Sequence, residues 1–407
     1  MGTKFKSLAC HLGTLPDPRK VKGRRHVLLD VLVIAVLAAL CGIDDWESTV
    51  YFARGQEDWL RTFLALPNGI PSHDTFNRIF RMVDPRAFGE VFLAWVGGIR
   101  EKIPEDVIAF DGKTLRASLC QGKPPLHVVS AWSVGNGMVL GQRAVEEKSN
   151  EITAIPELVK ILDLRGCIVT IDAMGCQKAI AGEIVARKAE YVLAVKANQE
   201  RLFEAIQASF VKLDSDPSVV PHFSTESQEE GHGRKELRRV TIVDGVHRLP
   251  EDILFSWPRL ETLMRIQSVT HRGNKIECEE RFFISSMPMR RAETIARCPR
   301  LHWGIENRLH WELDVVFRED ANRTRMGYAA ECGAILRHIV MNLLRRDPNP
   351  EKRSLRSRRL KAALAPDYRM VALLGFPSCY QPVVQPRPKT YIAIKDTKFP
   401  IHPLLLG

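Results

Sequence analysis

The sequence predicts an α/β protein: a mixed sheet with helices on its faces, a helical amino-terminal domain ahead of it, and a β-rich insertion before the last helices. Three observations carry this. Residues 1–103 read as helices with recognisable start signals, residues 107–212 alternate apolar β-branched runs with helical stretches, and residues 213–288 lose helical periodicity.

In chain order, helices are expected over 28–41 and 45–66, then one opened by Ser72 and one running from Pro85 to 100. Ser72 is a capping residue, and Pro85 suits a first helical turn. A basic, turn-rich run from Pro16 to Arg25 precedes them. Strands follow at 107–111, 127–134 and 138–145, the last two turning at Gly135-Asn136-Gly137. Next come a helix over 155–162 with Pro156 in its first turn, a strand at 167–171, a helix at 177–188, a strand at 191–195 and a helix at 199–211. The order is β-β-β-α-β-α-β-α, which makes a mixed sheet. In the insertion, strands are expected at 238–243, 263–270 and 278–284, the last pair joined across His271-Arg272-Gly273-Asn274. Helices resume at 292, through 301–317 and 327–346. The implied divisions are a helical domain (1–103), the first part of the sheet core (104–212), the insertion (213–290), carboxy-terminal helices (291–375) and a Pro-rich tail (376–407).

With 45% hydrophobic and 26% charged residues, the composition excludes wholesale disorder and collagen-like repeats. The 59 basic residues outweigh 48 acidic ones for a net charge of +11, which suits a polyanionic partner, nucleic acid or an anionic membrane surface. The run 31–43 is too short to span a bilayer, so no membrane segment is expected. Nine scattered cysteines without a CxxC pair suit a reducing cytoplasm and argue against disulfides or structural zinc.

Asp111 and Asp172 each end an apolar strand and precede Gly or Ala, where side chains project from a sheet edge. If the two strands are parallel neighbours, the carboxylates converge and repel unless a divalent cation lies between them; hard oxygen ligands favour Mg²⁺ or Mn²⁺. Alone, either Asp also suits a turn or a helix cap. Glu306 supplies a third acid on a helix where His302, Glu306 and His310 recur at i, i+4 and i+8 on one face. A zinc site using both histidines, or a satisfied polar stripe, are the rival readings of that face.

The segments Asp111-Gly-Lys-Thr-Leu-Arg116, Glu147-Lys-Ser-Asn-Glu-Ile-Thr-Ala-Ile-Pro-Glu157, Asp172-Ala-Met-Gly-Cys-Gln-Lys178, Val195-Lys-Ala-Asn-Gln199 and His302-Trp-Gly-Ile-Glu-Asn-Arg-Leu-His-Trp-Glu-Leu-Asp-Val315 resemble the H-repeat-associated branch of the insertion-sequence DDE transposases, over residues 8 to 375. The resemblance implies an RNase H-like core, Asp111, Asp172 and Glu306 as the catalytic, metal-holding triad, and Mg²⁺ (or Mn²⁺) as cofactor. It further implies cleavage and 3′-end strand transfer at element ends, with double-stranded DNA as partner and a homodimer in the DNA complex. The broader group places Tyr, Arg and Lys at minus seven, minus four and plus seven from the Glu; here stand Pro299, His302 and Leu313.

Lys113, Arg116 and Lys196 are expected at the same sheet edge as phosphate contacts, with His302 and Arg308 on the Glu306 helix and His232 and Arg234 in the charged turn of the insertion. The run 345–361 sets eight cations against Asp347 and Glu351, which suits backbone neutralisation. Rival functions are an RNase H-like nuclease or inactive relic that does not join strands, a DNA-binding protein without catalysis, and a two-carboxylate glycoside hydrolase.

Overall fold

In the computed structural model, residues 7–119, 124–145, 151–218, 220–231, 234–273, 275–347 and 353–369 are described. The first five strands are apolar runs that bury themselves in the sheet: β1 (Val107–Thr114), β2 (His127–Ser133), β3 (Met138–Ala144), β4 (Ile168–Ile171) and β5 (Glu190–Val195). Four longer strands follow, β6 (His222–Gly231), β7 (Arg234–Asp244), β8 (Thr262–Arg272) and β9 (Lys275–Ser285). Among the described residues all nine share one sheet, in the order β3-β2-β1-β4-β5-β9-β8-β7-β6. Strand β1 is antiparallel to β2 and parallel to β4, and β4 is parallel to β5. Thus β1 and β4 are parallel neighbours as the two aspartates require, but only Asp172 follows a strand end: β1, expected to stop at 111, runs on to Thr114 because its antiparallel pairing with β2 continues past Asp111. The insertion is no appendage: β9 pairs antiparallel with β5 and carries the sheet onward.

The turn between β2 and β3 is held by Asp106, which accepts from Ser133 Oγ at 2.5 Å and from the Gly135 amide at 2.8 Å, with Gly137 at φ +62°. β6 escapes a reading based on alternation because its face residues are nearly all exposed and polar; its pairing with β7 holds it.

Helices α1 (Leu8–Leu12), α2 (Leu28–Leu40), α3 (Trp46–Gly55), α4 (Glu57–Leu60), α5 (His73–Met82) and α6 (Pro85–Ile99) precede the sheet. Ser72 and Asp84 cap the last two as expected, whereas the single helix expected over 45–66 breaks at Gln56. α2 is buried along its length, and its Asp30 is satisfied by the Leu66 amide at 2.8 Å. No helix of the described residues is long and apolar enough to cross a membrane.

Between strands lie α7 (Glu151–Ile161), α8 (Lys178–Ala186), α9 (Glu200–Ser215) and α10 (Glu251–Ser256), and after the sheet α11 (Ala292–Ile305), α12 (Trp311–Val315), α13 (Ala329–Arg345) and α14 (Leu355–Leu364). α7 begins four residues earlier than expected, so Pro156 lies inside it rather than in its first turn. α11 covers Val107, Ile168 and Val192 from one face through Ile295 and Cys298. A larger apolar cluster joins the other face to the amino-terminal helices and α13. On α13, Asn342 bonds both the amide and carbonyl of Val139, at 2.9 and 2.8 Å, supplying β3 with strand-like partners on its open edge.

Candidate active site

Asp111 shares its β1 face with Val107 and lies one step past Phe110, whose register partner on β4 is Ile171, the residue before Asp172. The two carboxylates therefore project from neighbouring chain segments where the β1–β4 ladder ends, with β1 itself continuing along β2. Asp111 Oδ1 accepts from the Gly112 amide at 2.9 Å, while Asp172 Oδ1 accepts from the amides of Met174 and Gly175 at 3.1 and 3.2 Å. Asp172 is thus a turn-former as well as an edge acid. The loop after it is pinned by Asn198, whose Nδ2 donates to the Ala173 carbonyl at 2.8 Å, and by Gln199, whose Nε2 donates to that of Cys176 at 3.0 Å.

Glu306 arrives from the face covered by α11. The expected regular helix is widened at this point: Glu306–His310 form a π-turn between α11 and α12, a distortion often found at functional sites. His302 directs Nδ1 to Thr170 Oγ1 on β4 at 3.0 Å, and burial lowers its pKa to about 4. His310 Nδ1 lies 3.4 Å from Asp111 Oδ2, and burial, helped by Lys113, lowers its pKa to about 4 as well. The two rings are engaged at different places and do not share a zinc-like site.

A fourth acid approaches from the opposite face. Glu151, the first residue of α7, accepts a contact from His127 Nε2 at 2.7 Å, and His127 Nδ1 meets Thr114 Oγ1 at 2.8 Å. Gly112 makes room for this pair: a Cβ there would stand 2.1 Å from Glu151 Oε1 and 2.4 Å from His127 Nε2. Burial, with Glu151, Asp172 and Glu306 adding negative charge, raises Asp111 to about 7 against the opposing Gly112 hydrogen bond. Burial and Glu151 likewise raise Asp172, partly offset by Lys196. Sequence reasoning missed Glu151 because the helix was read to begin at 155; extending the apolar spacing of Ile155 and Val159 back to Ile152 would have placed it on the helix.

The donor set is wholly carboxylate oxygen, and its surplus charge fits a hard divalent cation. Among the described residues, no three acidic, histidine or cysteine side chains stand close enough to ligate one ion as placed.

The cations distribute differently from expectation. Lys196 is exposed at the end of β5, beside the acid edge. Lys113 turns inward: its Nζ lies 2.5 Å from Asp314, 3.2 Å from Glu319 and 3.4 Å from Asp320. Burial opposes its charge, but these carboxylates hold its pKa above the ordinary lysine value. Arg116 is exposed with Asp320 3.8 Å away, Arg308 is exposed, and Arg234 pairs with Glu236. His232, part of the 147–157 segment and the Pro-rich tail lie outside the described residues. The basic run after 345 is engaged internally to a large extent. Arg345 lies over Trp132 and pairs with Glu312, Arg358 donates to the Leu344 carbonyl, and Arg359 bonds the Ala39 carbonyl and Asp44.

The profile of the family described as "Transposase DDE domain" matches residues 102–343, and that described as "DDE_Tnp_1-associated" matches residues 9–96. The chain belongs to the DDE transposase family. Its place within that family is the H-repeat-associated branch. It is 38% identical to the "H repeat-associated putative transposase YhhI" of Escherichia coli (strain K12), over 91% of this chain and 99% of that one. It is 41% identical to the "Putative transposase YncI" of Escherichia coli O157:H7, over 88% and 92%. Among solved structures, a piggyBac transposase synaptic complex with hairpin DNA aligns over 91% of this chain and 80% of that one, at TM-score 0.40 and 11% identity, too distant to argue from.

Proposed function

We propose that this chain cuts DNA at the ends of its element and joins the 3′-ends to a target, using Asp111, Asp172 and Glu306 on an RNase H-like core. The observation that carries the reading is the end of the β1–β4 ladder beside a π-turned helix, where Asp111 is buried with Asp172 and Glu306 near enough to add their negative charge. Asp111, Asp172 and Glu306 would hold Mg²⁺ or Mn²⁺. Bound there, divalent cations supply positive charge to the attacking and leaving oxygens of a phosphodiester. The protein's own part is to keep these carboxylates at one edge, to fix the Asp172 loop through Asn198 and Gln199, and to brace the Glu306 helix against β4 through His302. No side chain serves as a covalent nucleophile in this scheme, so water and a DNA 3′-hydroxyl can exchange at one site. The partners in this reading are double-stranded element ends and target DNA, engaged by a homodimer in the cytoplasm, with Lys196, Arg116 and Arg308 as surface cations available to phosphates.

The test is a plasmid carrying the element ends, incubated with protein and Mg²⁺. Wild type cuts and joins; Asp111→Ala, Asp172→Ala and Glu306→Ala do neither. Continued cutting by any of the three overturns the assignment. A precleaved end offered with a target plasmid separates joining from simple hydrolysis.

A further inference from the structure

One face of the outer strands gathers arginines. In register, Arg234 on β7 stands opposite Arg272 on β8, and Arg238 opposite Ser268, which pairs in turn with Glu279 on β9. Like charges directly opposite one another destabilise a sheet. These residues, with Arg281, and with Arg300 and Trp303 from α11, line a cavity of about 230 Å³. Glu236, Glu277 and Glu279 also line it, leaving five guanidiniums against three carboxylates. Some of the charge is balanced: Arg234 pairs with Glu236, Arg300 with Glu229, and Arg281 Nε lies 3.7 Å from Glu279.

Arg238 combines burial with an unsatisfied donor. It is 8% exposed, and among the described residues its Nη2 has no hydrogen-bond partner and its side chain no ion pair. Burial, with Arg281 and Arg300 nearby, lowers its pKa below the ordinary arginine value, against the smaller opposing pull of Glu236 and Glu229. Burying a charged donor without a partner is costly. An anion entering the cavity would supply the missing acceptor, and planar guanidiniums match phosphate oxygens in pairs.

We propose that Arg238 and Arg281, with Arg300 facing them from α11, form a phosphate pocket for the backbone of a DNA strand running along α11 toward Glu306. The proposal rests on the function argued above and adds a site to it. Arg300 precedes Glu306 by roughly 9 Å of helix at 1.5 Å per residue, about two to three steps of a strand rising 3.4 Å per nucleotide. The occupant is thus a phosphate a few nucleotides from the reacting one.

The experiment measures binding of a short fluorescent duplex to the full chain across a salt series in EDTA, where no cation takes part. Arg238→Gln and Arg281→Gln are each expected to weaken binding several-fold and to make the plot of log affinity against log salt shallower by about 0.9. Arg239→Gln, one residue along on the other face and paired with Glu226, is the control and should change little. Asp111→Asn should abolish cutting yet leave the salt slope intact, which separates failure of this site from failure of the catalytic assignment. Equal losses for Arg238→Gln and Arg239→Gln would overturn the pocket in favour of a diffuse basic surface. So would unchanged slopes in folded variants. A melting temperature raised by inorganic phosphate, with DNA binding indifferent to Arg238→Gln, would also overturn it, as the pocket would then take free anions. Should Arg238→Gln fail to fold, Arg281→Gln, which is half-buried, carries the same readout.

Discussion

Two charged clusters flank β1 and differ in kind. Around Asp111, apart from His310 at 3.4 Å, the charged neighbours are other acids: burial raises its pKa, and Glu151, Asp172 and Glu306 add repulsion. Two residues on, Lys113 sits among Asp314, Glu319 and Asp320, with Arg337 Nε bonding Glu319 at 2.7 Å from the other side. The first cluster is unbalanced, whereas in the second Lys113, Arg337 and, at 3.8 Å from Asp320, Arg116 offset the three carboxylates. Glu319 is 2% exposed, yet Arg337 and Lys113 overcome its burial and keep its pKa below the usual glutamate value. The contrast teaches that buried charge alone does not mark a ligand site, since the Lys113 cluster satisfies its own charges. It also shows why Lys113 is not available to a phosphate: it ties β1 to the segment following the Glu306 helix.

The contrast can be broken in order of expected effect. Removing a triad acid, as Asp111→Asn, Asp172→Asn or Glu306→Gln, should lower cutting and joining by about 10³-fold or more, measured on a plasmid bearing element ends. Glu319→Gln in the balanced cluster should instead cost about 3–5 kcal/mol of stability in denaturant unfolding, because it strands the largely buried Arg337 without its carboxylate while Lys113 keeps Asp314 and Asp320. A loss under 1 kcal/mol there would deny that the network is tightly coupled. Glu151→Gln should weaken Mn²⁺ binding about 10–100-fold while the fold persists, as Glu151 and His127 shape the edge beside Asp111. An unchanged Mn²⁺ titration would leave Glu151 a helix-start residue only.

Smaller effects follow from protons. Because Asp111 holds its proton up to about pH 7, a cation must displace it, so Mn²⁺ affinity should rise as pH climbs through 7 and level off above. Its folded pKa stands above the unfolded carboxylate value, so its contribution to stability is present at low pH and is lost as pH rises through about 7. Asp111→Asn should accordingly raise the metal-free melting temperature at pH 8 by a few degrees. A fall would show that the acid edge is balanced after all.

Much of the fold was legible where burial enforces pattern. β4, buried at all four positions, is legible to within a residue, and the strand-end position of Asp172 follows from it; Asp111 lies inside β1, whose last residues Gly112–Thr114 are less buried and lack an apolar pattern. β6, exposed and polar, left no alternation to read, and the break at Gln56 carries no Gly-Pro punctuation beyond Gly55. Glu306 was legible as an acid on an apolar-flanked helix, but the π-turn was not, since no local residue demands it. Lys113's partners return from two hundred residues downstream, a distance that sequence pattern does not span. Glu151 was lost through a helix boundary set too late at Pro156.

The pairing of β9 with β5 has a mechanical meaning. Ladder bonds run without interruption from the outermost hairpin, through β9, to the strand whose end carries Lys196 and the Asn198 clamp on the Asp172 loop. The outer strands and the acid edge are therefore parts of one plank. A polymer gripped at the far end, as proposed above, would be held in a set position relative to the carboxylates, with the sheet itself as the ruler.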